Sequence, residues 1–158
     1  MEHSQFHLSR TALPADAMVS LLRYKRWADT ELMASALTLS WFGRMLVGKY
    51  VAAIVRHFHT VDCIFRAHLL GESHGYTSSN PAEPTTLAEL QERVRTIDDW
   101  YVDYAQDLDA LRLTEPLNVT FTDGARQTLT RSDMLLHVVQ HGAYHRGNIG
   151  ILLRVVGA

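Results

Sequence analysis

Histidine is the residue type with the clearest chemical potential in this sequence, which contains nine of them among 158 residues. His141 and His145 are four residues apart, so on a helix their imidazoles lie one turn apart on the same side. Two imidazoles in this relation can bind one ion at the roughly 2.0–2.1 Å distances that zinc requires. A third imidazole from a facing helix would complete a site, and His57 is the best candidate.

Helical wheels separate the histidines that face the core from those that face solvent. In the last helical segment, His145 lies roughly 30° and His141 roughly 70° from the centre of the apolar face, whereas His137 lies roughly 110° away. In an earlier segment, His57 lies on one flank of the apolar face beside apolar residues. His59 lies on the opposite flank among polar residues, in a neighbourhood that we expect to be solvated. The wheels therefore favour His57, His141 and His145 as an inward-facing set.

Three protein ligands leave coordination positions open for water or substrate, as catalytic zinc sites do. All-nitrogen ligation also suits nickel, iron or copper. Such a site lowers the pKa of a bound water or thiol and creates a nucleophile near neutral pH. This chemistry predicts a metal-dependent enzyme acting on a small molecule, and metal-assisted hydrolysis is one reaction that it allows. The alternatives are a non-catalytic stress-related protein whose ion ties two helices together and, for an H-x-x-x-H pair considered alone, purely structural histidines.

Four segments carry the 3.6-residue apolar period of amphipathic helices, and they predict an all-α four-helix bundle. They run over Ala15–Leu39, Lys49–Leu70, Leu87–Leu113 and Arg131–Val156. In the first segment the predicted core face contains Leu21, Tyr24, Ala28, Leu32 and Leu39. The predicted boundary signals are a left-handed stop at Gly71, a capping box from Thr85 or Thr86 to Glu89, and Thr130 with Asp133 in the first turn.

Two connections between these helices have distinct patterns. Residues 72–84 are rich in Ser, Gly, Asn and Pro and predict a loop. Between the third and fourth helices, Val119 and Phe121 alternate with polar residues before Asp123-Gly124. This pattern predicts a short β-hairpin over Leu117–Leu129, inserted into the bundle. We find no repeat or linker and expect residues 1–158 to form one domain.

The composition excludes several classes of protein. The net charge of −2 offers no general attraction to nucleic acid or to anionic lipid. Residues 1–17 contain no apolar run typical of a secretory signal, and no stretch approaches the roughly 20 apolar residues of a membrane span. Cys63 is the only cysteine, so an intramolecular disulfide cannot form. We therefore expect a cytoplasmic protein without a nucleic-acid or membrane partner.

Three stretches of the sequence resemble a known family. Residues 137–148, HVVQHGAYHRGN, are similar to the H-V-x-N-H-G-x-x-H-R-G-Q signature of the DinB/YfiT-like bundle family. Residues 23–28, RYKRWA, resemble its first-helix Y-N-x-W-A segment. Residues 57–71 resemble its second-helix H-x-x-x-V-D-x-x-W/F pattern that ends in Gly. The resemblance extends from about residue 17 to the C-terminus.

This resemblance implies a four-helix bundle that holds a metal, often zinc or nickel, with one histidine of the second helix and two of the fourth. The matching positions are His57, His141 and His145, the set that the wheels also favour. The resemblance implies a homodimer and, as in some relatives, thiol-dependent S-transfer or isomerisation with a low-molecular-weight thiol such as mycothiol or bacillithiol. The family name refers to induction by DNA damage and implies no DNA binding.

Two positions depart from the family pattern, because Asn148 replaces Gln and Lys25 replaces Asn. Neither position is a predicted ligand. An H-E-x-x-H metalloprotease is excluded since residue 142 is Gly. A di-iron bundle would need Glu-x-x-His pairs, and none precedes the three histidines.

Several other side chains have two interpretations. Asp62 and His137 either orient a metal ligand or serve as a surface ion pair or cap. For Arg146, pairing with an acidic neighbour is favoured over binding an anionic substrate. Cys63 is either an activated thiolate beside Arg66 and His59 or, as we favour, an ordinary surface thiol. The aromatic residues Tyr24, Trp27 and Tyr144 either line a pocket or, more commonly, belong to the core.

Overall fold

The computed structural model describes residues 13–157 as a helical bundle with a two-stranded insertion. In chain order the elements are α1 (Ala15–Leu37), α2 (Trp41–Gly43), a π-helical turn (Arg44–Gly48), α3 (Lys49–Leu70), α4 (Leu87–Gln106), α5 (Ala110–Leu113), β1 (Pro116–Thr120), β2 (Arg126–Thr130) and α6 (Arg131–Val155). Helices α1 and α3 each pack against both α4 and α6. The four long helices therefore form the predicted bundle, with α1 and α3 at opposite corners.

The predicted helix boundaries rest on local hydrogen bonds. Thr86 and Glu89 form a reciprocal capping box at the start of α4, and Thr130 and Asp133 form another at the start of α6. Gly71 ends α3 with a φ of +71°, a left-handed conformation that glycine adopts without a steric penalty. These three boundaries agree with the sequence signals.

The predicted hairpin is also present. Strands β1 and β2 are antiparallel, with Leu117 opposite Leu129 and Val119 opposite Gln127. The side chain of Val119 is buried beneath the hairpin. In the turn, the carboxylate of Asp123 accepts a hydrogen bond from the backbone N–H of Ala125 at 2.9 Å. The hairpin leads directly into α6, which carries two of the candidate metal ligands.

The structure corrects the predicted helix lengths at three places. The first helix ends at Leu37, not at Leu39. The third predicted helix, Leu87–Leu113, breaks after Gln106, because Asp109 accepts a hydrogen bond from the backbone N–H of Arg112 and caps a separate short helix, α5. Residues 41–48, which we assigned to no helix, continue directly into α3 through α2 and the π-helical turn.

The core face of α1 differs from the predicted one. Tyr24 is 56% exposed and Ala28 is half-buried, although both were expected to face the core. The most deeply buried residues of α1 are instead Met18, Leu22, Lys25, Asp29, Met33 and Ala36. The wheel failed here because it treats charged residues as outward-facing, whereas a charge can be buried when it is paired.

Residues 1–12 and 158 lie outside the described part of the chain. The expectation that residues 1–17 are not a secretory signal concerns mainly residues 1–12, so it lies outside the described residues. Among residues 13–157, no helix combines the length and the apolar composition that crossing a lipid bilayer requires.

Candidate metal centre

The packing of α3 against α6 brings three imidazoles together. His57 on α3 lies with its ring centroid 5.1 Å from that of His141 and 4.8 Å from that of His145. The centroids of His141 and His145 are 4.4 Å apart, and their Nε2 atoms are 3.1 Å apart. One nitrogen of each ring lies within 4.8 Å of the other two. The three side chains selected by the helical wheels therefore meet at one point.

These distances fit the requirements of a metal ion. Two nitrogens bound tetrahedrally to one zinc ion lie about 3.3 Å apart, given the usual Zn–N bond length. The Nε2 atoms of His141 and His145 are already close to that separation. Only a small movement of the His57 ring toward them would bring three nitrogens to a common ion. The three histidines could therefore hold a divalent cation.

A backbone contact orients His57. Its Nδ1 lies 3.1 Å from the carbonyl oxygen of Ser79, in the loop between α3 and α4. A carbonyl oxygen only accepts hydrogen bonds, so Nδ1 is the protonated nitrogen and Nε2 keeps its lone pair. A contact of this kind fixes both the tautomer and the ring orientation of a metal-binding histidine.

The local environment keeps the α6 imidazoles neutral. Burial and the neighbouring histidines lower the pKa of His141 to about 3, and burial and His57 lower the pKa of His145. The Nε2 atoms of the two rings face each other at 3.1 Å, and neutral imidazoles with free lone pairs are the form that binds metals. The neutral state of the α6 imidazoles therefore fits a metal centre.

His137 packs against the site but does not join the three ligand candidates. Its ring is stacked on that of His141 at 5.4 Å and on that of Phe65 at 4.5 Å. It therefore contacts a candidate ligand through its face, with no hydrogen bond between the two rings. Of the two roles considered for His137, orienting a ligand agrees better with this contact than a surface ion pair or cap does.

A buried cluster of charges lies beneath the site, and the sequence analysis did not predict it. The Lys25 ammonium contacts Asp29 and Asp62 at 2.9 Å each, and it also binds Asp98. All four side chains are at most 2% exposed. A Lys-x-x-x-Asp pair on α1 was the available sequence signal. Asp62 thus binds Lys25, and the structure shows no contact between Asp62 and a candidate ligand.

Helix α6 is attached to this cluster next to the candidate ligands. Arg146 donates a hydrogen bond to Asp29 at 2.7 Å, which confirms the favoured pairing with an acidic neighbour. The α-carbon of Gly142 lies close to the Lys25 side chain, since a Cβ added there would be 3.2 Å from Lys25 Cε and from Arg146 Nη1. The residues following His141 and His145 therefore both contact the charged cluster.

The remaining residues singled out in the sequence lie away from the core. Tyr24, Trp27 and Tyr144 are 56%, 58% and 68% exposed, so the expectation that they are core residues was wrong. Tyr144 lies beside the site, because its ring is 5.0 Å from that of His145. The three aromatic rings are surface features, and only Tyr144 contacts a candidate ligand through an aromatic pair.

The flank of α3 that carries His59 is less solvated than expected. His59 and Cys63 are half-buried, with Sγ of Cys63 3.6 Å from Nε2 of His59. Burial lowers the pKa of His59 to about 4 and raises the pKa of the Cys63 thiol. The pair is therefore neutral at physiological pH, which argues against an activated thiolate. Both residues lie on the flank opposite His57.

Comparisons with known proteins agree with the geometry. The sequence model of the DinB family matches residues 10–158. Protein DinB of Bacillus subtilis strain 168 is 32% identical over 75 residues, which cover 48% of this chain and 42% of that protein. The aligned region thus spans less than half the length of this relative. Because the family match covers nearly the whole chain, the chain belongs to the DinB family.

Proposed function

We propose that this protein binds one divalent transition metal ion, zinc or nickel, through His57, His141 and His145, and that it is a metal-dependent thiol S-transferase. The observation that carries the proposal is the convergence of three imidazole nitrogens within 4.8 Å of one another. Membership of the DinB family supports metal binding independently of this geometry. The S-transfer reaction is supported by the family resemblance of the sequence.

The positions of the three histidines suit a metal site that small molecules can reach better than an enclosed structural site. All three histidines are half-buried, so small molecules can approach them from solvent. The three ligands leave room for a further ligand, and a divalent cation held there would lower the pKa of a water or thiol that it binds. The exposed ring of Tyr144, beside His145, provides an apolar surface next to which a substrate can lie.

The protein orients His57 and keeps His141 neutral. The Nδ1–H of His57 donates to Ser79 and leaves Nε2 free. His141 stays neutral at pH 7 because burial lowers its pKa. His141 can therefore bind a metal ion without first releasing a proton at neutral pH.

Two other functions use the same site. A metal-dependent hydrolase would use water in place of a thiol. A non-catalytic stress-related protein would use the ion only to join α3 to α6. The half-buried position of the three histidines favours an enzyme over that last function, since an ion with a purely structural role is normally enclosed by four protein ligands.

A panel of thiols and electrophiles tests the reaction. The tag-free protein loaded with zinc or nickel is assayed with each thiol and electrophile, before and after chelation and after the metal is restored. We expect conjugate formation that disappears on chelation and returns with the metal. His141→Ala should be inactive and His59→Ala should match the wild type. Activity that is indifferent to chelation would contradict the proposal, and turnover without any thiol would indicate the hydrolase.

We also propose that the protein is a homodimer. Large apolar side chains are exposed on α1, α2 and α6, including Trp27, Trp41, Phe42, Ile151 and Val155, which are 57–78% exposed. The α-carbon of Gly43 lies near Val156, since a Cβ added there would be 3.5 Å from its methyl group. Apolar surface on adjacent elements is typical of a subunit interface. A second copy of this chain, related by a two-fold axis, could cover it.

Analytical ultracentrifugation tests the dimer. We expect the wild-type protein to sediment as a dimer at micromolar concentration and Trp41→Ser with Ile151→Ser to sediment as a monomer. Leu111→Ser serves as the control, because Leu111 is 80% exposed on α5, outside this surface. A monomeric wild-type protein would contradict the proposal.

A further inference from the structure

A second candidate binding site lies on the far side of α3 from the three histidines. His59 and His57 are two residues apart, so their side chains point about 200° apart around the helix axis. Next to His59, α3 and α4 enclose a groove of about 310 Å³, lined by His59, Cys63, Arg66, Arg93, Ile97 and Trp100, among others. This volume is at the lower end of the range of small-molecule sites, roughly 300–1,000 Å³.

The floor of the groove is uncharged. Sγ of Cys63 lies 3.6 Å from Nε2 of His59, and burial disfavours the charged form of both groups. Ile97, which is 5% exposed, and the half-buried ring of Trp100 form the apolar part of the lining. The groove therefore suits the apolar body of a ligand.

Counting only partners among the described residues 13–157, the rim of the groove carries one positive charge without a salt bridge, that of Arg66. Arg93 binds Glu83 at 3.2 Å, and Glu92 binds Arg95 at 2.5 Å. Arg66 forms no salt bridge within residues 13–157. Its guanidinium instead lies over the ring of Trp100, 5.1 Å from the ring centroid. A cation–π contact of this kind holds the guanidinium in place and leaves its N–H donors available for an anion.

We propose that the groove between α3 and α4 binds a small apolar carboxylate, whose carboxylate pairs with Arg66 and whose apolar body packs on Ile97 and Trp100. The planar guanidinium matches a carboxylate with two parallel hydrogen bonds. The uncharged floor excludes a second charge on the ligand, because a buried charge needs a partner. This site is separate from the metal centre and does not depend on the proposed enzyme activity.

The probe is 1-naphthoate, with uncharged 1-naphthamide as its matched control. Binding to the full-length protein is measured by calorimetry. We expect 1-naphthoate to bind more tightly than the amide and Arg66→Gln to weaken its binding at least about tenfold, the effect of losing a charged, bidentate pair. Arg23→Gln, which removes an exposed arginine of α1, should leave the affinity unchanged. Equal binding of the two probes, or equal affinity of wild type and Arg66→Gln, would overturn the proposal.

Cys63 locates the bound probe, since it is the only cysteine of the chain. Saturating 1-naphthoate should slow the alkylation of Cys63 by iodoacetamide, as followed by mass spectrometry, with and without zinc. Alkylation that is unaffected by the probe would overturn the proposal. Binding of 1-naphthoate only to the zinc-loaded protein would also overturn it, because it would assign the probe to the metal centre.

Discussion

The Nη1 atom of Arg146 lies 2.7 Å from Oδ1 of Asp29, and Nζ of Lys25 lies 2.9 Å from Oδ2 of the same carboxylate. A single buried carboxylate of α1 thus binds the residue that follows His145 in α6. Because burying charges is costly unless each is paired, the cluster holds α6 in a narrow range of positions relative to α1. The position of the candidate metal ligands depends on this attachment.

Replacing Arg146 should therefore destabilise the fold. Arg146→Gln removes one of the two cations that pair with Asp29, which is fully buried, and we expect a loss of about 3 kcal/mol in the free energy of unfolding. Urea denaturation of the metal-free protein measures this loss in the free energy of unfolding. The control is Arg154→Gln, which removes an exposed arginine of the same helix and should change stability by less than about 0.5 kcal/mol. Equal stability of the two variants would contradict the role of the Arg146–Asp29 pair.

Replacing two glycines of α6 with alanine should change the stability of the protein in opposite directions. A Cβ at Gly142 would lie 3.2 Å from Lys25 Cε and from Arg146 Nη1, and ion pairs hold both of those side chains in place. We expect Gly142→Ala to lower stability by about 1 kcal/mol. At Gly147 a Cβ would meet nothing within 4 Å, so Gly147→Ala should raise stability by about 0.5–1 kcal/mol through helix propensity. Thermal denaturation of Gly142→Ala and Gly147→Ala measures the two changes. If both substitutions raised stability, the side chains of Lys25 and Arg146 would be able to move aside, contrary to this prediction.

The charged cluster should make stability depend on pH above neutrality. Burial raises the pKa of Asp98 from 3.8 to about 8, so the folded protein holds a proton there that the unfolded chain has already lost. Measured against Asp98→Asn, the stability of the wild-type protein should therefore fall as the pH rises from 6.5 to 8, by up to about 1.4 kcal/mol per pH unit. The histidines with lowered pKa values act in the opposite direction, because the unfolded chain still loses their protons just above pH 6.5. They are the same in both proteins, so the comparison isolates the effect of Asp98.

Urea denaturation of the metal-free protein at both pH values checks this dependence. Asp98→Asn removes this titrating carboxyl and keeps the histidines and the other carboxylates of the cluster, so its stability should not show the fall that is specific to Asp98. The difference between the two pH values is the relevant quantity, because the substitution can also change stability uniformly. A pH dependence of the wild-type protein equal to that of Asp98→Asn would contradict the raised pKa of Asp98.

Metal binding should stabilise the folded protein. A ligand that binds only the folded state at 100 times its dissociation constant adds about 2.7 kcal/mol, which raises the midpoint of thermal unfolding by roughly 5–10 °C for a chain of this size. We expect zinc to produce this shift in the wild type and no shift in His57→Ala. Calcium, which prefers oxygen ligands, should have no effect on either protein. An equal shift in His57→Ala would exclude His57 as a ligand.

Much of the fold follows from local signals in the sequence. The 3.6-residue period of apolar residues predicted the four long helices, and Thr86, Thr130 and Gly71 marked boundaries that the structure reproduces. Asp123-Gly124 predicted the hairpin. The meeting of His57, His141 and His145 could be predicted because each lies on the core side of its helix or close to it.

The errors have a common physical origin in paired polar groups. Lys25 is buried because Asp62 and Asp98 reach it from other helices, and Asp29 is buried because Arg146 reaches it from α6. A wheel of one helix contains no information about those partners. The same limit applies to His59 and Cys63, which α4 covers. The break after Gln106 depends on the competition between helix continuation and a cap at Asp109, which the apolar period alone does not resolve.

The most direct test of the metal centre is zinc binding to three tag-free proteins. Isothermal titration of the chelated wild type should give one zinc ion per chain. His59→Ala, which removes a histidine of α3 outside the cluster, should behave identically. His141→Ala should bind zinc at least about 100-fold more weakly, since two imidazoles cannot replace three. Equal zinc affinity of His141→Ala and the wild type would contradict the assignment of His57, His141 and His145 as the metal ligands.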